Sequence, residues 1–195
     1  MEELISYLLQ FGQLNQKQID LVKAKAKEKY LPKGEYFSEA GKIARHIAFV
    51  REGVLMICYY NNKGEEIVHH FVDENHFVVD LESFNHKIAS MIYIRAVTDC
   101  QLIFLSYENF QELSATIIDW DKIINKVTIK TLLEKVNLMQ PKLNVDAKTR
   151  YLDFLQNFPN LANRIPLIYI ASYLGITATS LSRIRGEFKS VPEIM

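Results

Sequence analysis

The stretch from Leu167 to Phe188, LIYIASYLGITATSLSRIRGEF, limits the possible folds of this chain more than any other. Its apolar, glycine and polar positions fall where two short helices crossing at a tight turn need them. In the first, Ile170, Ala171 and Leu174 face inward, and Ala171 is small enough to let a second helix cross closely. Gly175 supplies the left-handed turn that a residue with a Cβ resists. Thr177 stands where it can cap the second helix, in which Leu181, Ile184 and Phe188 repeat at helical spacing. The opposite face carries Ala178, Thr179, Ser182 and Arg183, a short, polar and basic surface of the kind that enters a major groove. Any antiparallel helix pair can share this pattern. The joint placement of Ala171, Gly175, Leu181 and Ile184, with LSRIR at the end, favours a helix-turn-helix.

A chain of 195 residues, 49% of them hydrophobic, can bury a substantial core as one large or two modest units. The formal net charge is zero, but its distribution is uneven. From Gln140 onward seven basic residues face four acidic ones, so this tail carries +3 and the remainder −3. A mildly basic tail on a mildly acidic body fits a nucleic-acid-binding unit attached to something else. Cys58 and Cys100 are the only cysteines, both in apolar runs, and read as buried free thiols rather than a disulfide framework. The N-terminal MEELISYLLQFGQLNQ carries acidic residues where a secretory signal has basic ones, and no apolar run reaches membrane-spanning length. A cytoplasmic protein with no membrane partner is expected.

Residues up to about Lys29 read as helical, with Leu4, Ile5, Leu8 and Leu9 as one stripe and Ile19 with Leu21–Lys29 as a second segment. From Tyr30 to about Leu105 the period changes. The runs HIAFV, VLMICYY, EIVHHFV, HFVVD, MIYIRAV and QLIFLS alternate with turn residues such as Gly34, Gly41, Gly53 and Asn61–Gly64, which predicts an antiparallel sandwich or barrel. Tyr107–Leu113 reads as a short helix and the segment from Thr116 as a long one, with Ile117, Trp120, Ile124, Val127, Thr131, Glu134 and Leu138 in step. So broad an apolar surface either packs against a copy of itself or covers the open face of the barrel; a homodimer is the favoured reading. Pro141 ends this helix, and QPKLNVD marks a boundary. Asp146 then caps a helix through Tyr151, Leu152, Phe154 and Leu155 that stops near Asn157–Pro159. The predicted units are 1–115, 116–140 and 141–195.

This order of elements resembles the Crp/Fnr family of bacterial transcription regulators. The likeness rests on Leu31-Pro32-Lys33-Gly34, the Phe49 to Gly53 strand and turn, Tyr59 to Glu65, Arg95-Ala96 followed by QLIFLS, and IASYLGITATSLSRIR. It implies an α+β fold: an N-terminal antiparallel β-barrel of the cyclic nucleotide-binding jelly-roll type, a long central dimerisation helix and a C-terminal helix-turn-helix domain. The implied partners are double-stranded DNA, a second copy of the chain and RNA polymerase, with an unknown effector.

In cyclic-nucleotide-binding relatives a Gly-Glu pair meets the ribose, and an Arg followed by Ser or Thr meets the cyclic phosphate. The corresponding region here, His76 to Ile94, contains no glycine and no arginine, and Lys87 is its only lysine. The phosphate positions fall near Ser90 and Met91; the ribose-contacting glutamate, expected near Val78, is missing, although Asp80 and Glu82 lie close by. A buried phosphate without a guanidinium is very costly, so control by cyclic AMP is not expected, and any effector pocket near Asp80, Glu82, Ser90 and Met91 is degenerate. The redox branch of the family carries iron–sulfur cysteines near its N-terminus; here none precedes Cys58. His46, His69, His70, His76 and His86 lie in or beside the barrel, but strand histidines are more often surface or hydrogen-bonded core. No metal or cofactor site is predicted.

For the DNA interface the resemblance implies an Arg-Glu pair early in the second helix and another Arg one turn later. Arg183 matches the later arginine, whereas Ala178 and Thr179 occupy the early positions, so the operator should differ. Arg183 can meet guanine in bidentate fashion, and Thr179 and Ser182 offer shorter contacts. Thr177 and Ser180 suit phosphate contacts; Arg185 and Lys189 fit either phosphate contact or a solvated helix face. The competing reading is a ligand-binding or protein-interaction module in which the helix pair is structural. No catalytic constellation stands out, so no enzyme is expected.

Overall fold

The apolar runs of the barrel region are nearly continuous rather than strictly alternating, and the structure, a computed structural model, shows why. It describes residues 1–139 and 145–189, with side chains to 136 in the first segment and to 187 in the second. Eight strands form two four-stranded antiparallel sheets: β1 (Lys27–Leu31), β2 (Tyr36–Ser38), β3 (His46–Glu52), β4 (Leu55–Tyr60), β5 (Glu66–Val72), β6 (Phe77–Val78), β7 (Tyr93–Ala96) and β8 (Cys100–Ser106). One sheet runs β1-β8-β3-β6, the other β2-β7-β4-β5. Both have helices on their outer faces, so both sides of the central strands are dry.

Successive residues point to opposite faces of a strand, which partitions the core into three layers. Ala48, Val50, Leu55, Ile57, Ile94 and Leu102 fill the space between the sheets. Phe49, Ile103 and Leu105 point outward from the first sheet, against α1 (Glu2–Leu8), α4 (Tyr107–Thr116) and the start of α5 (Trp120–Met139). From the second sheet Met56, Cys58, Val68 and Phe71 pack against the C-terminal helices α6 (Ala147–Asn157), α7 (Leu167–Leu174) and α8 (Ala178–Lys189). The expected α+β jelly roll with flanking helices is thus present. Both cysteines are buried and free, and burial, followed by the neighbouring Glu66 carboxylate, pushes the Cys58 thiol up to about 12.

The β3–β4 turn depends on Gly53. Its φ is +101°, and a Cβ there would come within 2.4 Å of the Asp99 carbonyl oxygen. Neither the backbone conformation nor the space admits a side chain.

Three expectations are corrected. The second N-terminal helix, α2 (Gln16–Lys25), ends before Lys29, because Ala26 is extended and Lys27–Leu31 pairs with β8 as β1. β1 has four exposed residues and only Leu31 buried, so its sequence carries no strand periodicity; the pairing with β8 decides. HFVVD is a strand only at Phe77–Val78: Asp80 turns the chain by accepting the Ser83 amide at 3.2 Å, which starts the short helix α3 (Leu81–His86). Ile117 belongs to the turn between α4 and α5 rather than to the long helix, where its amide caps α4 through the Leu113 carbonyl at 2.8 Å. The side chains of Leu138, Phe188 and Lys189, and Pro141 itself, lie outside the described residues.

Candidate nucleic-acid interface and the adjoining cavity

α7 and α8 cross at 101°, within the range of about 90–120° that helix-turn-helix pairs adopt. The turn between them is built as the residues dictate. Gly175 sits at φ +66°, ψ +36° and its amide closes α7, while Arg150 Nη1 caps the free Leu174 carbonyl at 2.6 Å. Thr177 Oγ1 accepts the Ser180 amide at 3.1 Å, capping α8. Ile170, Ala171, Leu174 and Leu181 are buried between the helices. Asp146 caps α6 through the Thr149 amide at 2.8 Å, as its position predicts.

The outer face of α8 is open. Thr177, Thr179, Ser180, Ser182 and Arg183 are exposed, and Ala178 and Arg185 half-buried. No hydrogen bond or ion pair holds Arg183 or Arg185 among the described residues. The structure therefore brings Thr179, Ser182 and Arg183 onto one solvent-facing surface, with Thr177 and Ser180 at the helix start, where backbone amides and the helix dipole favour an anion.

α7, by contrast, is held against the barrel. Ser172 Oγ accepts the Val68 amide at 2.9 Å and donates to the Glu66 carbonyl at 3.1 Å, so a side chain completes the backbone pairing of edge strand β5. Arg95 donates to Glu66 Oε2 at 2.8 Å and to the Tyr169 hydroxyl oxygen at 2.9 Å. Arg164, in the loop before α7, clamps Glu74 in the β5–β6 turn. Burial pushes the Tyr173 phenol, packed on Phe71, up to about 12. Sequence reasoning missed this docking, although Ser172 and Tyr169, both polar, stand on the otherwise apolar α7.

A cavity of about 480 Å³ lies where α5 crosses the barrel. Val72, Phe77, Val78 and Phe84 line its barrel side, and Ile124, Val127, Thr128, Thr131 and Lys135 its α5 side. A second space of about 380 Å³ adjoins it, sharing Val72, Phe77, Thr131 and Lys135 and reaching Asn157 and Phe158 of the C-terminal helices. Asp80, Glu82, Ser90 and Met91 line neither. Asp80 caps α3; Ser90 is buried and bonded to Ile92; Glu82 and Met91 are exposed, Met91 by 87%. Lys135 was readable as a break in the apolar face of α5, since Ile124, Thr128, Thr131 and Lys135 step by three or four residues. Among the described residues no group of three or more His, Cys, Asp or Glu side chains is placed to hold a metal ion.

The lower half of α5 has a second apolar face. Ile129, Leu132, Leu133 and Val136 are 48–58% exposed and spaced for one stripe that the described residues leave uncovered.

Residues 28–116 match the family model of the cyclic nucleotide-binding domain. No curated protein sequence matches the chain. Among solved structures, the c-di-GMP responsive global regulator CLP of Xanthomonas campestris is similar, with a TM-score of 0.71, 17% identity and coverage of 90% of this chain and 92% of that one. FixK2 of Bradyrhizobium japonicum is similar at a TM-score of 0.73 and 15% identity over 85% of each chain. A protein described as a transcriptional regulator of the crp/fnr family from Eubacterium rectale gives 0.70 and 16% identity, over 90% of this chain and 84% of that one. The likeness at these identities is one of fold, and it extends beyond the barrel to most of the chain. The fold is Crp/Fnr-like, and no single helix among the described residues is long and apolar enough to cross a membrane.

Proposed function

We propose that this chain, Crp/Fnr-like in fold, is a homodimeric, DNA-binding transcription regulator whose α7–α8 pair is a helix-turn-helix reading a palindromic operator. The observation that carries this is the asymmetry of the pair: α7 is fixed to the barrel through Ser172 and Tyr169, while the polar face of α8 stands free. A helix pair that is only structural has no need of an exposed, unpaired Arg183 beside Thr179 and Ser182. In this reading Arg183 reads a guanine, Thr179 and Ser182 contact neighbouring base edges, and Thr177, Ser180, Arg185 and Lys189 hold phosphates.

The working units are a sensor domain over residues 1–115, a dimerisation helix over 116–140 and a DNA-reading domain over 141–195. Two copies pair through Ile129, Leu132, Leu133 and Val136, which sets the distance between two α8 helices to match a two-fold operator. The regulator acts in the cytoplasm, in concert with RNA polymerase, and has no enzymatic role. Cyclic AMP does not control it: no arginine lines the cavity beneath α5, and a cyclic phosphate there would lack the guanidinium that makes its burial tolerable. An effector in that cavity acts by moving α5 relative to the barrel as a rigid body.

A second reading is favoured by one observation. The C-terminal helices share a continuous core with Met56, Val68 and Phe71 of the barrel, as a protein-interaction module with a structural helix pair would.

Selection from a random duplex pool at near-physiological salt, with full-length protein, separates the two. Recovery of a palindrome with half-sites about one helical turn apart supports the regulator. Binding without sequence preference, or none in the presence of a confirmed dimer, supports the module.

A further inference from the structure

The cavity beneath α5 combines a mostly apolar wall with a single lysine that no described residue pairs. Lys135 is partly buried where the two adjoining spaces meet, and among the described residues it makes no hydrogen bond or ion pair. The nearby acids are committed elsewhere. Glu134 faces His76 Nε2 at 3.8 Å and Lys130 at 3.7 Å, and Asp73 lies 2.9 Å from His76 Nδ1. Asp121, the one carboxylate lining the larger space, accepts the Ser114 hydroxyl at 2.6 Å. Burial correspondingly pulls the Lys135 ammonium below its ordinary pKa. A partly desolvated cation that the fold does not pair invites an anion.

The shape of the space narrows the class of anion. Its α5 wall runs from Asp121 to Lys135, and fourteen residues of helix span about 21 Å. Between those ends Ile124, Val127, Val72 and Phe77 make the lining mostly apolar, with Asn125, Thr128 and Thr131 interrupting it on the helix side. One lysine at the end of a long, mostly apolar trough suits one negative charge on a long apolar body. A polyanion would find no arginine and no second lysine in the lining of either space.

We infer that the effector is an elongated apolar monocarboxylate of the fatty-acid class, its carboxylate on Lys135 and its chain along the trough between α5 and the barrel. This rests on the reading of that cavity as the effector site, and its test involves no DNA, so its failure leaves the DNA-reading assignment to be judged by duplex selection alone.

Decanoate, decanol and cyclic AMP are the probes, titrated into the full-length protein by calorimetry. Trp120 provides a second signal: it is the only tryptophan, and its ring lies 6.0 Å from that of Phe110, which lines the cavity. Decanoate should bind saturably at one site per chain. Lys135→Met should weaken it at least about tenfold, while Lys135→Arg stays within about threefold of wild type, because the second variant keeps the charge. Decanol should not distinguish Lys135→Met from wild type. Thermal melting confirms that both variants are folded. Equal decanoate affinity in wild type and a folded Lys135→Met overturns the proposal, as does absence of saturable decanoate binding or tighter binding of cyclic AMP.

Discussion

Both terminal nitrogens of Arg164 meet both carboxylate oxygens of Glu74, Nη1 to Oε2 at 2.9 Å and Nη2 to Oε1 at 2.5 Å, and Glu74 Oε1 also accepts the Gly53 amide at 2.8 Å. One carboxylate therefore joins two barrel turns to the loop before α7. Burial alone would push the Glu74 carboxyl up; the hydrogen bonds from Arg164, from its own backbone and from Gly53 outweigh this and hold it at about 2, against an ordinary 4.5. A lowered carboxylate pKa contributes stability that is complete above 4.5 and lost as pH falls toward 2. Arg164→Met should cost about 1.5–3 kcal/mol at pH 7, the range for hydrogen bonds to charged groups. Urea unfolding of wild type and variant at pH 7 and pH 3 checks the assignment: the gap between them should narrow at the lower pH. A gap independent of pH would assign the loss to packing instead.

Ser172 makes a similar junction without charge. Its hydroxyl accepts from the Val68 amide and donates to the Glu66 carbonyl, and Val68 is buried, so removing the hydroxyl leaves that amide without its side-chain partner. Ser172→Ala should cost about 1–3 kcal/mol, the penalty for a buried donor left unpaired. Hydrogen exchange at the Val68 amide should accelerate more than at amides of β3. Unchanged protection at Val68 would mean that α7 is held by its apolar contacts alone.

What the sequence disclosed and what it hid follow from the range of the interactions involved. Gly175, Thr177 and Asp146 act on backbone groups within three or four residues, so turn and capping chemistry reveals them directly. The runs of β3, β4, β5 and β8 were legible for the same reason, as local composition. β1 was not: Lys27, Glu28 and Lys29 are exposed and owe their strand to pairing with Phe104, Ile103 and Leu102 some seventy residues away. The α7 docking, with Ser172 bonded across 104 residues to Val68, is equally invisible to a local pattern. The cavity is a further case, since barrel and α5 only jointly enclose it. The family resemblance points instead to Asp80, Glu82, Ser90 and Met91, which cap a helix or stand outside the lining.

The apolar stripe of α5 gives a prediction about assembly. Leu133 is 58% exposed at its centre. Placing a carboxylate there opposes its own copy across a two-fold interface, and an uncompensated charge at a buried contact costs several kcal/mol. Leu133→Glu should weaken dimerisation at least about a hundredfold in sedimentation equilibrium, with the thermal stability of the single chain little changed because the residue is mostly exposed within it. A variant that sediments as wild type would place the interface elsewhere.

Arg183 is exposed, unpaired among the described residues and remote from the core, so its removal should leave folding within about 0.5 kcal/mol of wild type, as for surface positions without partners. Its effect should fall on recognition. If Arg183 meets guanine O6 and N7, Arg183→Ala should cost about 1–3 kcal/mol for each half-site carrying that guanine and nearly nothing on duplexes where the guanine is replaced. Arg183→Lys keeps the charge but not the planar fork, so it should retain the salt dependence of binding while losing most of the base discrimination. Titration of the three proteins against the selected palindrome and its guanine-substituted form, at two salt concentrations, separates these roles. Equal losses on both duplexes would make Arg183 a phosphate contact and shift base reading to Thr179 and Ser182, which share its exposed face.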